Sequence, residues 1–292
     1  MPGRTGWIGG LGALEIKQRY ALWIQYDGSL FQGFQRLSPR GAQAFCPTGN
    51  PRRWPRRQTI QEELEVKLSL LLREDIQVWG SGRTDAGVHA TAQVIAFDTT
   101  SGLAPEAMMR NLNAVLPTGL CVTRWRAVEA SFHPRFSAKR RTYHYYLWPD
   151  APSGSAFWSH HCWLRPGSLN LESMRQAAIP LLGSHDFSAY TRKHEGHEAR
   201  TRNLHQLHIH DRVVSTQLQS GPWLQLAPLI CFEVCANAFL RRMVRQLVAN
   251  LVKVGSGEWP PERPAEILIS KDASLSAPPA PPHGLFLVEV EY

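Results

Sequence analysis

The chain's 292 residues suffice for about two ordinary domains, each with its own core. Hydrophobic residues make up 43% of it without any long apolar run, which excludes a membrane-crossing helix. A formal net charge of +8 favours a polyanionic partner, although charge alone selects no activity.

The first strand is expected from Tyr20 to Tyr26, alternating through Leu22 and Ile24 and closing on the turn Asp27-Gly28. Residues 1–19 form an N-terminal extension ahead of it. From Ser38 to Arg57 the chain is rich in Pro, Gly and Arg and holds no acidic residue, which marks a basic insertion over residues 38–58. Its composition fits an unstructured surface segment, and Arg52, Arg53, Arg56 and Arg57 fit contacts to RNA phosphates. Thr59 opens a helix with Glu62 in the capping-box position and a buried stripe of Ile60, Leu64, Leu68 and Leu71. Two strands, marked by Ile76 and Val78 and by Val94 and Ala96, flank a glycine-rich loop. A second helix begins near Pro105, buries Met108 and Leu112 with Val115 at its margin, and ends before Pro117. A strand follows over about 120–128.

That order, β-α-β-β-α-β, is the split arrangement of ferredoxin-like folds. The second half runs through the same order. It has a strand over 139–148, a helix over 171–182 capped by Asn170 and stopped by Gly183, and strands over 204–210 and 229–235. A long amphipathic helix then starts after Asn237, buries Phe239, Leu240, Met243, Leu247 and Leu251, and ends at Gly255. A short helix near Pro264 leads to a last strand from Leu285 to Tyr292. The expected fold is therefore α+β, with two ferredoxin-like βαββαβ lobes of mainly antiparallel sheet over residues 20–130 and 131–292. They are related by topology without a visible sequence repeat, and the active-site cleft is expected between them.

The loop Gly80-Ser81-Gly82-Arg83-Thr84-Asp85-Ala86-Gly87-Val88-His89 carries the most information. Its glycines permit backbone angles closed to other residues and close approach of a ligand. Arg83 and Asp85 stand two positions apart, which in an extended segment points both side chains the same way. A loop aspartate most often caps its own backbone or faces water. A carboxylate is equally a catalytic nucleophile or base when a substrate is brought to it.

Residues Gly82 to His89 resemble the active-site loop G-R-T-D-A-G-V-H of the tRNA pseudouridine synthase A family. The likeness continues through Tyr26-Asp27-Gly28, Gln61-Glu62, Phe136 to Tyr145, Ala236 to Gln246, and His283-Gly284-Leu285-Phe286-Leu287, so it spans about Tyr20 to Tyr292. It implies an isomerase that converts uridine to pseudouridine at positions 38, 39 and 40 of the tRNA anticodon stem-loop, acting as a homodimer across which tRNA lies. The reaction breaks the bond from C1′ to N1, turns the uracil and joins C1′ to C5. Its product is an isomer, so no cofactor and no metal is expected.

The resemblance makes Asp85 the catalytic carboxylate acting on an extruded uridine. Arg83 would be its counter-charge, a phosphate contact or the filler of the place left by the base. Tyr143 would stack on the target base or serve as its C5 base, and Leu285 would line the pocket. Arg245 would form a salt bridge with Asp85, and Arg241 lies one helical turn away on the same expected face. Arg140 and Arg141 add positive charge suited to phosphates. Without the family, Tyr143 reads as a core aromatic sharing a strand face with Tyr145 and Leu147, Leu285 as plain core, and the helix arginines as solvated. The departures are the extension, the basic insertion and Thr142, where many relatives carry a further basic residue; all three concern tRNA docking more than catalysis.

Twelve histidines include His205-x-x-His208-x-His210 and His194-x-x-His197, but no acidic or cysteine partner stands near them at a recognised zinc spacing. Cys46, Cys121, Cys162, Cys231 and Cys235 form no C-x-x-C pair, and their odd number fits a reducing compartment. The start lacks the continuous apolar stretch of a secretory signal, so a cytoplasmic protein is expected, with an organellar transit peptide as the alternative. Two readings compete with the isomerase. A non-catalytic RNA-binding or tRNA-folding protein would not need Asp85, Arg83, Tyr143 and Arg245 together, and a nucleoside hydrolase would release free uracil.

Overall fold

Alternating apolar positions pair the strands into one sheet, and helices cover the greasy side of it. The computed structural model describes residues 17–36, 58–102, 104–151, 156, 158–191, 199–214 and 227–292. The strands are β1 (Gln18–Tyr26), β2 (Trp79–Gly80), β3 (His89–Thr99), β4 (Leu120–Val128), β5 (Arg140–Pro149), β6 (Trp163–Arg165), β7 (Gly183–Asp186), β8 (Thr201–Val214), β9 (Ala227–Ala236) and β10 (Leu285–Glu291). The helices are α1 (Ile60–Leu72), α2 (Pro105–Val115), α3 (Leu171–Ala178), α4 (Met243–Gly255) and α5 (Arg263–Ser270). Among the described residues no helix is long and apolar enough to cross a membrane, and no disulfide joins Cys121, Cys162, Cys231 and Cys235.

Among the described residues the sheet has ten strands in the order β4-β1-β3-β10-β5-β9-β8-β7, with β2 beside β3 and β6 beside β5. In the first half β4-β1-β3-β2, and in the second half β10-β5-β9-β8, follow the same ferredoxin-like order. The halves are joined by the parallel pair β3 and β10, where Phe286 faces His89 and Leu287 faces Ala90. The sheet thus continues from one half into the other. Among the described residues only this pair and β5 with β6 are parallel.

Register explains the core. Tyr20, Leu22 and Ile24 stand opposite Phe97, Ile95 and Gln93, and all six are buried. All but Gln93 belong to one hydrophobic cluster with Ile60, Leu64 and Leu68 of α1, Met108 and Leu112 of α2, and Leu247 and Leu251 of α4. In α1 the capping box is complete: Thr59 Oγ1 accepts from Glu62 N at 3.2 Å, and Glu62 Oε2 accepts from Thr59 N at 3.0 Å. Leu72 completes its buried stripe, and Leu71 is half-buried.

Several boundaries differ from expectation. The strand around Ile76 and Val78 shrinks to Trp79–Gly80, because Glu65 and Gln61 of α1 take the Val78 main-chain N–H and C=O. Val115 is 43% exposed at the helix end. The helix expected after Asn237 begins only at Met243. Asn237 Oδ1 accepts from its neighbour's N–H on Ala238 and from Asn203 N, and Arg242 sits at φ +63°, which interrupts helical geometry ahead of α4.

Thr59→Ala should lower stability by about 1–2 kcal/mol, since it leaves a buried helix end uncapped. A urea titration reads this as a lower midpoint at unchanged slope, with Thr59→Ser recovering most of it. An unmoved midpoint would show that the cap contributes nothing.

Candidate active site

The glycine-rich loop is fastened along its whole length. Ser81 N donates to Val94 O at 2.8 Å, continuing the β2 pairing. Fully buried Gln93 donates from Nε2 to Gly82 O at 2.9 Å and accepts from Ser81 Oγ at 2.5 Å. Phe34 N donates to Thr84 O at 3.0 Å, and Thr84 Oγ1 shares a 2.8 Å hydrogen bond with Tyr26 OH. At the far end Gly87 N donates to Gly28 O at 3.2 Å, and Gly28 N donates to His89 Nδ1 at 3.1 Å. The approach is close enough that a Cβ on Gly28 would lie 2.0 Å from Val88 O, which accounts for glycine in Tyr26-Asp27-Gly28. Gln93 carried a legible signal, a polar residue in an otherwise apolar strand.

This scaffold leaves Asp85 with a quarter of its side chain exposed, facing arginines from the other half of the chain. Arg245 Nη1 lies 3.0 Å from Asp85 Oδ2, Arg241 Nε 3.8 Å from Oδ1, and Arg242 Nε 3.9 Å from Oδ2. Arg245 is itself anchored: its Nε donates to Ala280 O at 2.6 Å, and Ala280 N donates to Arg245 O at 3.1 Å. Burial pulls the Arg245 guanidinium below its usual value, and Asp85 pushes it back up.

Two expectations change here. Arg83 is exposed and, among the described residues, forms no ion pair with Asp85. Pointing to one side of an extended segment does not bring a side chain into contact, and the counter-charge comes from Arg245 instead. Arg241 and Arg245 do converge on Asp85, but Arg241 precedes α4, so the convergence owes nothing to a shared helix face. Arg242 was not legible as a site residue. Its positive φ costs about 1–3 kcal/mol, and its buried Nε has no hydrogen-bond partner.

Tyr143 lies close to the loop: a Cβ on Gly82 would come within 3.9 Å of its hydroxyl. It meets Phe239 edge-on, with ring centroids 5.1 Å apart. Leu287 pairs with Tyr143 and Leu285 with Tyr145, so all four share one sheet face. Burial pushes the Tyr143 phenol up to about 12, against Arg141, which lowers it, and with Asp85, which raises it. The phenol therefore stays protonated near neutral pH, and a stacking role needs no ionisation.

The remaining basic residues divide. Arg140 is exposed and pairs with Glu291 at 3.8 Å. Arg141 is 7% exposed and spends its guanidinium on main-chain carbonyls, so it is no phosphate contact. A period-two reading of β5 contained this, since Arg141 falls on the inward face with Tyr143, Tyr145 and Leu147. Arg52, Arg53, Arg56 and Arg57, with most of the basic insertion, and His194 and His197 lie outside the described residues.

Two side-chain groups have the composition of cation ligands. His208, His210 and Glu233 come together because β8 and β9 pair His208 with Glu233, supplying from a neighbouring strand the carboxylate that linear spacing lacked. His210 Nε2 already lies 3.1 Å from Glu233 Oε2, and Glu233 pairs with His144, on the sheet face opposite Tyr143. Asp27, His89 and His161 form the other group, but both ring nitrogens of His89 are taken, by Gly28 N and by the carbonyls of His160 and His283. Neither group touches Asp85.

Comparisons with known proteins identify the family. A family model described as tRNA pseudouridine synthase matches residues 25–137 and 177–292. A tRNA pseudouridine synthase A of Fervidobacterium nodosum is 38% identical over 94% of this chain and 99% of its own length. Proteins of the same name from Pseudothermotoga lettingae and Paraburkholderia phytofirmans are 34% and 35% identical over 94% of this chain, covering 100% and 90% of theirs. With matches of this extent on both counts, the chain belongs to the tRNA pseudouridine synthase family, isomerases that convert uridine to pseudouridine.

Proposed function

We propose that this enzyme acts on uridines 38, 39 and 40 of the tRNA anticodon stem-loop, with Asp85 as the catalytic carboxylate on a flipped-out nucleotide. The observation that carries the reading is the meeting of Asp85 with Arg245, 3.0 Å apart and contributed by opposite halves of the chain, beside the ring of Tyr143. A homodimer with tRNA lying across both subunits, in the cytoplasm, completes the proposal.

The residues divide the work by chemistry. Asp85 either adds to C1′ or removes a sugar proton, and in both cases the bond from C1′ to N1 breaks with its electrons leaving on the uracil. The detached base stays between Tyr143 and Leu285, two apolar surfaces on one sheet face, and turns until C5 meets C1′. C5 then bonds to C1′ as the Asp85–C1′ bond breaks or, on the other route, as the sugar regains its proton; C5 loses its proton and N1 gains one, so the product is an isomer of the substrate. Three guanidinium groups around one carboxylate leave positive charge over, which suits the phosphates flanking an extruded nucleotide. Shape and phosphate contacts would select the stem-loop, because duplex RNA hides its base edges.

Asp85→Ala should abolish pseudouridine at positions 38–40, mapped nucleotide by nucleotide, while tRNA still binds in a gel-shift titration. Conversion by the variant would remove Asp85 from the chemistry. Free uracil released by the unaltered protein would favour a hydrolase, and tRNA binding without any product would favour the non-catalytic reading.

Replacing Arg52, Arg53, Arg56 and Arg57 with Gln should weaken tRNA binding and flatten its salt dependence by about 0.7–0.9 in log–log slope for each phosphate no longer neutralised. Turnover at saturating tRNA should hold. An unchanged slope would exclude the insertion from the interface.

A further inference from the structure

Arg141 is a buried cation with no carboxylate partner among the described residues, an arrangement that demands another source of compensation. It comes from three main-chain carbonyls. Nε and Nη2 both donate to Ser81 O, at 3.2 and 2.9 Å; Nη2 also donates to Arg135 O at 2.7 Å, and Nη1 to Asn237 O at 2.9 Å. Four hydrogen bonds thus engage a group that has five N–H donors in a rigid plane.

Of the segments so joined, three are the ones the site is made of. Ser81 begins the loop that presents Asp85, four residues on. Asn237 begins the non-helical stretch that carries Phe239, Arg241 and Arg242 into α4 and Arg245. Arg141 itself stands two residues before Tyr143 on β5, with its main chain paired to Ala236 of β9 and Val290 of β10. One guanidinium therefore fixes the carboxylate loop, the arginine segment and the aromatic strand relative to one another. Lysine could not replace it, because an ammonium is a point donor and cannot span three carbonyls in one plane.

We infer that Arg141 is a positioning residue for the isomerisation, setting Asp85 against Arg245 and Tyr143, and that it is not a ligand of tRNA. The inference rests on Asp85 being the catalytic carboxylate. Misplacing a reacting group by an ångström costs on the order of 10²-fold in rate, so the consequence falls on chemistry and leaves binding intact.

The test uses the full-length enzyme. In Arg141→Lys, the single-turnover rate at saturating tRNA should fall by about 10²-fold, with tRNA affinity unchanged at low and high salt. Hydrogen exchange should accelerate in the peptides spanning 80–90 and 236–246. Weaker binding with an unchanged rate would make Arg141 a phosphate contact and overturn the inference. So would a lower melting temperature with normal rate and normal exchange in those peptides. A second measurement needs no variant to fold: phenylglyoxal footprinting of the unaltered protein should leave Arg141 unmodified with and without tRNA. Modification in the free enzyme that tRNA suppresses would also overturn it. Loss of pseudouridine formation in Asp85→Ala tests the underlying reading by itself, and the footprint and exchange measurements stand whichever way that result falls.

Discussion

Everything in the site is arranged around the contact of Asp85 with Arg245, because its two members arrive from opposite halves of a 292-residue chain. With 13% and 25% of the two side chains exposed, the cost of desolvating both charges offsets much of their attraction, so the pair is a weak fastener. The pair is therefore a consequence of the scaffold and does not hold it together. What brings the halves into register is the parallel junction of β3 and β10, placing Leu287 against Ala90 and, through β5, beside Tyr143. Arg245 reaches its position because Ala280 binds it through both its N–H and its C=O. The contact is one that many weaker commitments elsewhere have already made.

Charge shows the same logic from another side. Three arginines gather about one aspartate, and Arg242 does so with a left-handed backbone and a buried Nε left without a hydrogen-bond partner. Self-repulsion and strain are local costs with no local return. A polyanionic substrate would relieve the repulsion, and this links the gathered arginines to RNA more closely than the overall charge of +8 does.

Much of this was legible in the chain. The capping box of Thr59 and Glu62, the α2 stripe of Met108 and Leu112, and the split β-α-β-β-α-β order depend on local periodicity and on side chains a few residues apart. The loop around Asp85 was recognisable because eight consecutive residues carry it. What escaped depended on distant strands or on the main chain. The short strands β6 and β7 have too few residues to display a period. The start of α4 was misplaced because Asn237 binds main-chain N–H groups with its side chain, and no apolar pattern records that. Glu233 came beside His208 only through strand pairing.

The pair Arg140-Arg141 shows why residue type alone misleads. Read as a basic run, both residues belong to the RNA. Read as a strand, they must point to opposite faces, and the pleat sends Arg140 to solvent and Arg141 inward with Tyr143 and Tyr145. Once inside, a guanidinium cannot stay unpaired, and the nearest acceptors are the carbonyls at which the carboxylate loop and the arginine segment begin. Alternation along one strand thus converts a residue suited to binding phosphate into one that holds the site's separate segments in place.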